Sequence, residues 1–199
     1  MRRGRGESGG IYSEECGAWS GRCSLADETS LFASGLDDAN ADLMTVIEQV
    51  VLGRLVPRDA KVLLAGVSRG GFLSLEVAAR QPDLVKGVIN FVGGWLSVRD
   101  EYPLDVYKTR VRLKKAHFAS IGKRSRATTI WIYGARDPFY DGAISRGFFE
   151  SFSAVGKEGE YLFIKSHEQS SGHSIHKSSR LWADQDDIFL EGLGPSTSD

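Results

Sequence analysis

The stretch Lys61-Val62-Leu63-Leu64-Ala65-Gly66-Val67-Ser68-Arg69-Gly70-Gly71-Phe72 decides how this chain folds. Its uninterrupted apolar run predicts a buried strand over 61–66, and Gly-x-Ser-x-Gly follows at once. Beyond it, Leu73-Ser74-Leu75-Glu76-Val77-Ala78-Ala79-Arg80 continues a predicted helix over 69–80, stopped by Pro82. Strand, sharp turn and helix, in that order, stand a nucleophilic serine clear of the backbone. Gly66 and Gly70 are expected where neighbouring backbone passes too close for a Cβ. The N–H of Arg69, opening the helix, is placed to bind an oxyanion. Ser68 is the candidate nucleophile.

The five-residue pattern also occurs at Gly6-Glu7-Ser8-Gly9-Gly10. Context separates the two. Ser8 has only Met1-Arg2-Arg3-Gly4-Arg5 before it, and the glycines after it disfavour a helix. Ser8 is set aside.

Working outward, strands and helices alternate. Leu43, Val46, Ile47, Val50 and Val51 repeat with helical spacing, with Asp37 and Asp38 at the expected helix start and Gly53 and Pro57 at its stop. Further strands are predicted at 88–92, 129–133 and 161–164, and further helices over about 105–119, 142–154 and within 181–192. Asp141 stands where it would cap the helix over 142–154. This alternation predicts an α/β fold, a mostly parallel sheet with helices on both faces. The whole of 1–199 reads as one domain, with 1–36 a loop-rich leading segment and 194–199 a frayed tail.

Composition narrows the function classes. The chain has 25 Lys and Arg against 26 Asp and Glu, a net charge of −1, with 41% hydrophobic residues. So balanced a charge gives no electrostatic case for nucleic acid. Residues 108–126 hold eight Lys or Arg and no acid, and read as a solvated helix face. No apolar run approaches the roughly 18 residues of a membrane span. No metal site is expected: Cys16 and Cys23 are the only cysteines, and too few ligands surround them for zinc. Whether they form a disulfide is open. The N-terminal arginines precede no apolar core, so the chain as written carries no secretory signal and reads as cytoplasmic.

Reactive groups in such sheets lie just past the carboxyl ends of the strands. Gly134-Ala135-Arg136-Asp137-Pro138 follows the strand at 129–133, and Asp137 there could orient an imidazole. His117 precedes Asp137 and breaks the Ser, Asp, His chain order. His167, His173 and His176 all follow the last strand. His173, in a polar loop after Ser171-Gly172, is the favoured base; His167 and His176 are the alternatives. Trp19, Trp95 and Phe139 are candidate lining residues or core aromatics.

With these segments in hand, the chain resembles the α/β-hydrolase superfamily, in its dienelactone hydrolase and prolyl oligopeptidase-like branch. Arg2-Arg3-Gly4-Arg5-Gly6-Glu7-Ser8-Gly9-Gly10, Gly66-Val67-Ser68-Arg69-Gly70-Gly71, Tyr133-Gly134-Ala135-Arg136-Asp137 and Gly172-His173 carry the likeness. It implies Ser68 as nucleophile, Asp137 as acid and His173 as base, with no cofactor. Dienelactone hydrolases proper use cysteine where Ser68 stands, and oligopeptidases usually carry an aromatic residue where Arg69 stands. The resemblance also implies that the first strands and the loop with a second oxyanion donor would precede Met1. Loss of one such donor costs on the order of 10² to 10³ in rate, and lost strands would leave an apolar sheet edge open. A lost leader would make the protein secreted or periplasmic. The resulting expectation is a serine hydrolase cleaving a carboxylic ester; an oligopeptidase-like peptidase and an inactive truncated hydrolase-fold protein are the alternatives. Small-molecule ester or peptide substrates are the expected partners, and oligomeric state is open.

Overall fold

The computed structural model describes residues 25–96, 103–154 and 159–194. Ser8, Cys16, Trp19 and Cys23 lie outside them. The chain divides into two compact units, 1–43 and 44–199. Helix α1 runs Leu25–Val46, and a wide π-type turn over Ile47–Val51 ends it. The helix thus begins twelve residues before Asp37, inside what reads as a loop-rich leader, and Asp37 and Asp38 are interior to it. Gly53 takes a φ of 76° just beyond the π turn, the left-handed conformation that suits a glycine after a helical segment.

The second unit holds strands β1 (Val62–Val67), β2 (Val85–Phe91), β3 (Thr128–Gly134) and β4 (Gly159–Ile164). Between them run α2 (Arg69–Arg80), α3 (Leu104–Arg124) and α4 (Gly142–Ser153), and α5 (Ala183–Leu193) follows. The strands are parallel, in the order β1-β2-β3-β4. When successive parallel strands advance in one direction, right-handed crossovers put every connecting helix on the same face. That holds here. Gly66 faces α2, where an added Cβ would run into the backbone of Gly70. On the same face Phe118 of α3 and Phe152 of α4 lie 5.3 and 5.4 Å from Trp131, which is in register with Asn90 and thus with Gly66. The opposite face is taken by α5, whose Leu193 meets the line of Gly87 and Leu63.

The core is therefore an aromatic layer between the sheet and α2, α3 and α4. Phe72, Phe118, Trp131, Phe148 and Phe152 are all fully buried, with Phe72 and Phe148 at 5.3 and 4.8 Å from Phe118. Each ring contributes burial plus an edge or tilted contact of about 0.5–1.5 kcal/mol. Among the described residues β1 is a sheet edge, and its Leu63 and Ala65 remain exposed on the face away from the crossover helices.

One buried charge ties α2 to α3. Glu76 is 2% exposed, and accepts from Arg80 Nε at 3.0 Å, His117 Nε2 at 3.1 Å and Arg124 at 3.3 Å. Burial pushes its pKa up, but the hydrogen bonds from His117 and Arg80 and the nearby positive charge outweigh it and hold it at about 2. The basic face of α3 is thus only partly free solvated charge, and His117 serves this cluster. Because the folded value lies below the ordinary 4.5, the stabilisation is complete above that pH and drains away as pH falls toward about 2. It amounts to at most about 3 kcal/mol, less screening at the half-exposed arginines. The urea midpoint should fall as pH drops from about 5 to about 3, and Glu76→Gln, weaker at neutral pH, should lose most of that slope. Parallel slopes for the two proteins would show that the cluster does not set acid stability.

Candidate active site

The sequence around Ser68 folds into a strained junction. β1 ends at Val67, α2 begins at Arg69, and Ser68 between them has φ 57° and ψ −121°. A non-glycine residue held there costs of order 1–3 kcal/mol and persists only where its surroundings fix it. Here they do. Ser68 N–H donates to Phe91 O at 2.8 Å, and Ser68 O accepts from Phe72 N–H at 3.1 Å and from Gly94 N–H at 3.3 Å. With the backbone committed on both sides, the side chain alone is free to project. Among the described residues Ser68 Oγ makes no hydrogen bond.

The two glycines of the pattern differ in what they do. A Cβ on Gly66 would strike the backbone of Gly70 and Gly71, whereas one on Gly70 meets nothing within 4 Å. Gly71, outside the pattern, is the second constrained position, pressed against Asn90 Oδ1 and Gly66 O. Gly66→Ala should therefore lower stability by about 1–3 kcal/mol, since backbone cannot give way cheaply. Gly70→Ala should be neutral or stabilising by up to about 1 kcal/mol. Urea midpoints of the two variants test the contrast, and equal losses would contradict it.

Asp137 and His173 meet. Asp137 lies in the loop after β3, its side chain fully enclosed, and His173 Nδ1 donates to Asp137 Oδ2 at 3.0 Å. The other carboxylate oxygen accepts from Phe139 N–H at 2.8 Å and Tyr140 N–H at 3.2 Å. A carboxylate only accepts, so Nδ1 carries the proton and a neutral ring presents its lone pair at Nε2. Phe139 packs on the imidazole at 4.7 Å and Tyr140 at 6.1 Å. His173 is not in an open loop: it sits in a 3₁₀ turn, Gly172–Lys177, whose cap Ser171 accepts from His173 N–H at 3.1 Å. Gly172 must be glycine, because a Cβ there would collide with the carbonyls of Gly134 and Ala135. That close passage brings the turn after β4 against the end of β3.

The other histidines are placed elsewhere. His167 Nε2 donates to Ala135 O at 2.7 Å, and Arg136, at a left-handed φ of 63°, donates to the carbonyls of His167 and Gln169 at 2.9 and 3.0 Å. His167 is a strut between two loops. His176, its pKa pushed down by burial, lies 6.5 Å from Phe91.

Ser68 and the imidazole are joined by a short path of contacts. Ser68 O is bonded to Gly94 N–H. Gly94 has no room for a Cβ because the phenol end of Tyr140 fills that space, and the Tyr140 ring borders His173. Tyr140 is fully buried, its hydroxyl accepts from Leu96 N–H at 3.4 Å, and burial pushes its pKa up. Val92, with a φ of 44° that a β-branched residue rarely adopts, turns the chain so that Gly94 can reach back. Neither Tyr140 nor Val92 stood out in the sequence; the run Asp137-Pro138-Phe139-Tyr140 was the available signal for the first. Among the described residues no group of three or more His, Cys, Asp or Glu could hold a metal ion, and no helix is long and apolar enough to cross a membrane.

No family model matches the chain, and no curated protein matches it. Solved structures do. A dienelactone hydrolase-like promiscuous phosphotriesterase from metagenomic libraries is 16% identical, with TM-score 0.55, over 84% of this chain and 67% of its own. An acylaminoacyl peptidase of Pyrococcus horikoshii is 20% identical, with TM-score 0.54, over 82% and 28%. A Pyrococcus furiosus esterase is 12% identical, with TM-score 0.53, over 80% and 62%. The chain thus spans between 28% and 67% of these neighbours' lengths. At such identities the likeness is one of fold, and the chain has the α/β-hydrolase fold.

Proposed function

We propose that the protein is a serine hydrolase of the dienelactone hydrolase-like branch that cleaves carboxylic esters with Ser68, His173 and Asp137. The observation that supports it best is a coincidence at one end of the sheet: a strained, positive-φ serine after β1 and an Asp137–His173 pair past β3 and β4. In the proposed reaction His173 Nε2 takes the Ser68 hydroxyl proton as Oγ adds to the ester carbonyl. The N–H of Arg69 donates to the tetrahedral oxyanion. His173 then gives its proton to the departing alkoxide, leaving an acyl-serine. Water, deprotonated by the same nitrogen, releases the acid and restores the hydroxyl. Ser68 Oγ and Nε2 are expected to close into a hydrogen bond on substrate binding, as such contacts often do. These steps need no metal or organic cofactor. A fluorophosphonate probe should label the folded protein once, on the peptide containing Ser68; a folded sample that takes no label there would favour the inactive alternative.

A further inference from the structure

Tyr133 stands near the carboxyl end of β3, just before Gly134. Its ring is fully buried, met edge-on by Tyr140 at 6.2 Å and stacked by Tyr161 at 5.9 Å. The proposed reaction gives it no task. Yet its hydroxyl donates to Gly93 O at 2.6 Å, a short bond from β3 to the turn after β2.

That bond is the first of a series. The carbonyl of Gly93 and the N–H of Gly94 belong to one trans peptide unit, in which they point opposite ways. The Gly94 N–H donates to Ser68 O at 3.3 Å. Ser68 O is in turn the carbonyl of the peptide unit whose N–H is that of Arg69. As the first residue of α2, Arg69 has no carbonyl partner for this N–H within the helix. Two peptide units therefore stand in line between the Tyr133 hydroxyl and the N–H proposed to hold the oxyanion. Donation to a peptide carbonyl polarises the same peptide's N–H, and bonds in such chains strengthen one another by about 10–30% each. The turn itself is held on both sides: Gly93 has no room for a Cβ against the Asn90 amide, nor Gly94 against Tyr140. Burial pushes the Tyr133 pKa up, so the hydroxyl keeps its proton and remains a donor.

We propose that Tyr133 is a positioning residue for the oxyanion site, its hydroxyl acting through the Gly93–Gly94 peptide to aim and polarise the N–H of Arg69. This rests on the reading of Ser68 as nucleophile and of that N–H as the oxyanion donor. The effect belongs to the transition state, because the substrate oxygen gains its full charge only as Ser68 adds.

Tyr133→Phe tests it, since it keeps the ring and deletes the donor. For a neutral p-nitrophenyl ester kcat should fall about 10- to 100-fold, with KM held within about twofold. The rate of fluorophosphonate labelling should fall with kcat, while its final extent reaches that of the parent. The pH inflection of kcat should stay in place, because the Asp137–His173 pair is untouched. Tyr161→Phe is the matched control: it deletes a hydroxyl bonded to Ser145 Oγ at 2.8 Å, on the ring stacked against Tyr133. It should lower the melting temperature and leave kcat and the labelling rate alone. Tyr133→4-aminophenylalanine keeps a weaker donor at the same place, and its kcat should lie between those of the parent and Tyr133→Phe. If Tyr133→Phe does not fold, the amino variant decides, and parent-level kcat in it overturns the inference. So does a folded Tyr133→Phe with parent kcat, with a loss that Tyr161→Phe matches, or with a displaced pH inflection. Each of these results leaves the nucleophile reading standing. A folded parent that takes no label at Ser68 removes that reading and this inference together.

Discussion

Ser68→Ala is expected to lower kcat/KM for a neutral short-chain aryl ester by on the order of 10⁴-fold or more, to near the rate in buffer. The proposed acyl-enzyme forms on Oγ, and no other described hydroxyl shares its place at the β1–α2 junction. Alanine keeps the Cβ, so the strain at φ 57° and the backbone bonds to Phe91, Phe72 and Gly94 should survive. The variant should fold and melt within a few degrees of the parent. Ser68→Gly sharpens the test, because glycine adopts positive φ without steric cost. It should be equally inactive yet more stable, by up to about 1–2 kcal/mol after its own entropy cost. Loss of activity with a gain in stability is the signature of strain kept for function. If Ser68→Ala retained a tenth of the parent activity, the nucleophile would lie elsewhere.

The parts of this architecture that are local in sequence were legible, and those made by distant contacts were not. The helix expected over 69–80 is Arg69–Arg80, and the strands after it fall where apolar runs place them. Asp141 caps α4 as expected, its carboxylate accepting from the N–H groups of Ala143 and Ile144. The amphipathic stripe at Leu43–Val51 misled: its C-terminal half is a π turn, while α1 extends back to Leu25 through a segment that reads as loop-rich. α3 likewise runs on to Arg124, since Ile121 and Gly122 are buried and extend its packed face beyond Ala119. The pairing of Asp137 with His173 could be guessed from strand order, because parallel crossovers bring such loops to one end. The steric need for Gly172 could not, because the colliding carbonyls of Gly134 and Ala135 lie far away in sequence. The same is true of Tyr140 beside Gly94, and of His117, whose partner Glu76 sits on another helix.

Asp137→Asn is expected to cost about 10⁴ in kcat, with the fold intact, and the hydrogen bonds around its carboxylate say why. Asp137 Oδ1 accepts from two backbone N–H groups, those of Phe139 and Tyr140. An asparagine must keep its carbonyl oxygen there, since turning its NH₂ toward them would set donor against donor. The NH₂ is then forced toward His173 Nδ1, which can only accept from it by giving up its own proton. The imidazole is driven to the tautomer protonated at Nε2, and that nitrogen cannot take a proton from Ser68. KM should change little, because neither group is proposed to contact substrate in the ground state. His167→Gln is the matched control: a strut bonded to Ala135 O, its loss should reduce stability and leave the pH profile of kcat in place. Should Asp137→Asn and His167→Gln instead lose activity in similar measure, the Asp137–His173 pair would be a loop fastening like the other. Separation of the two by a factor of about 10³ or more would assign proton transfer to His173, since only a residue that handles the proton gains so much from its tautomer.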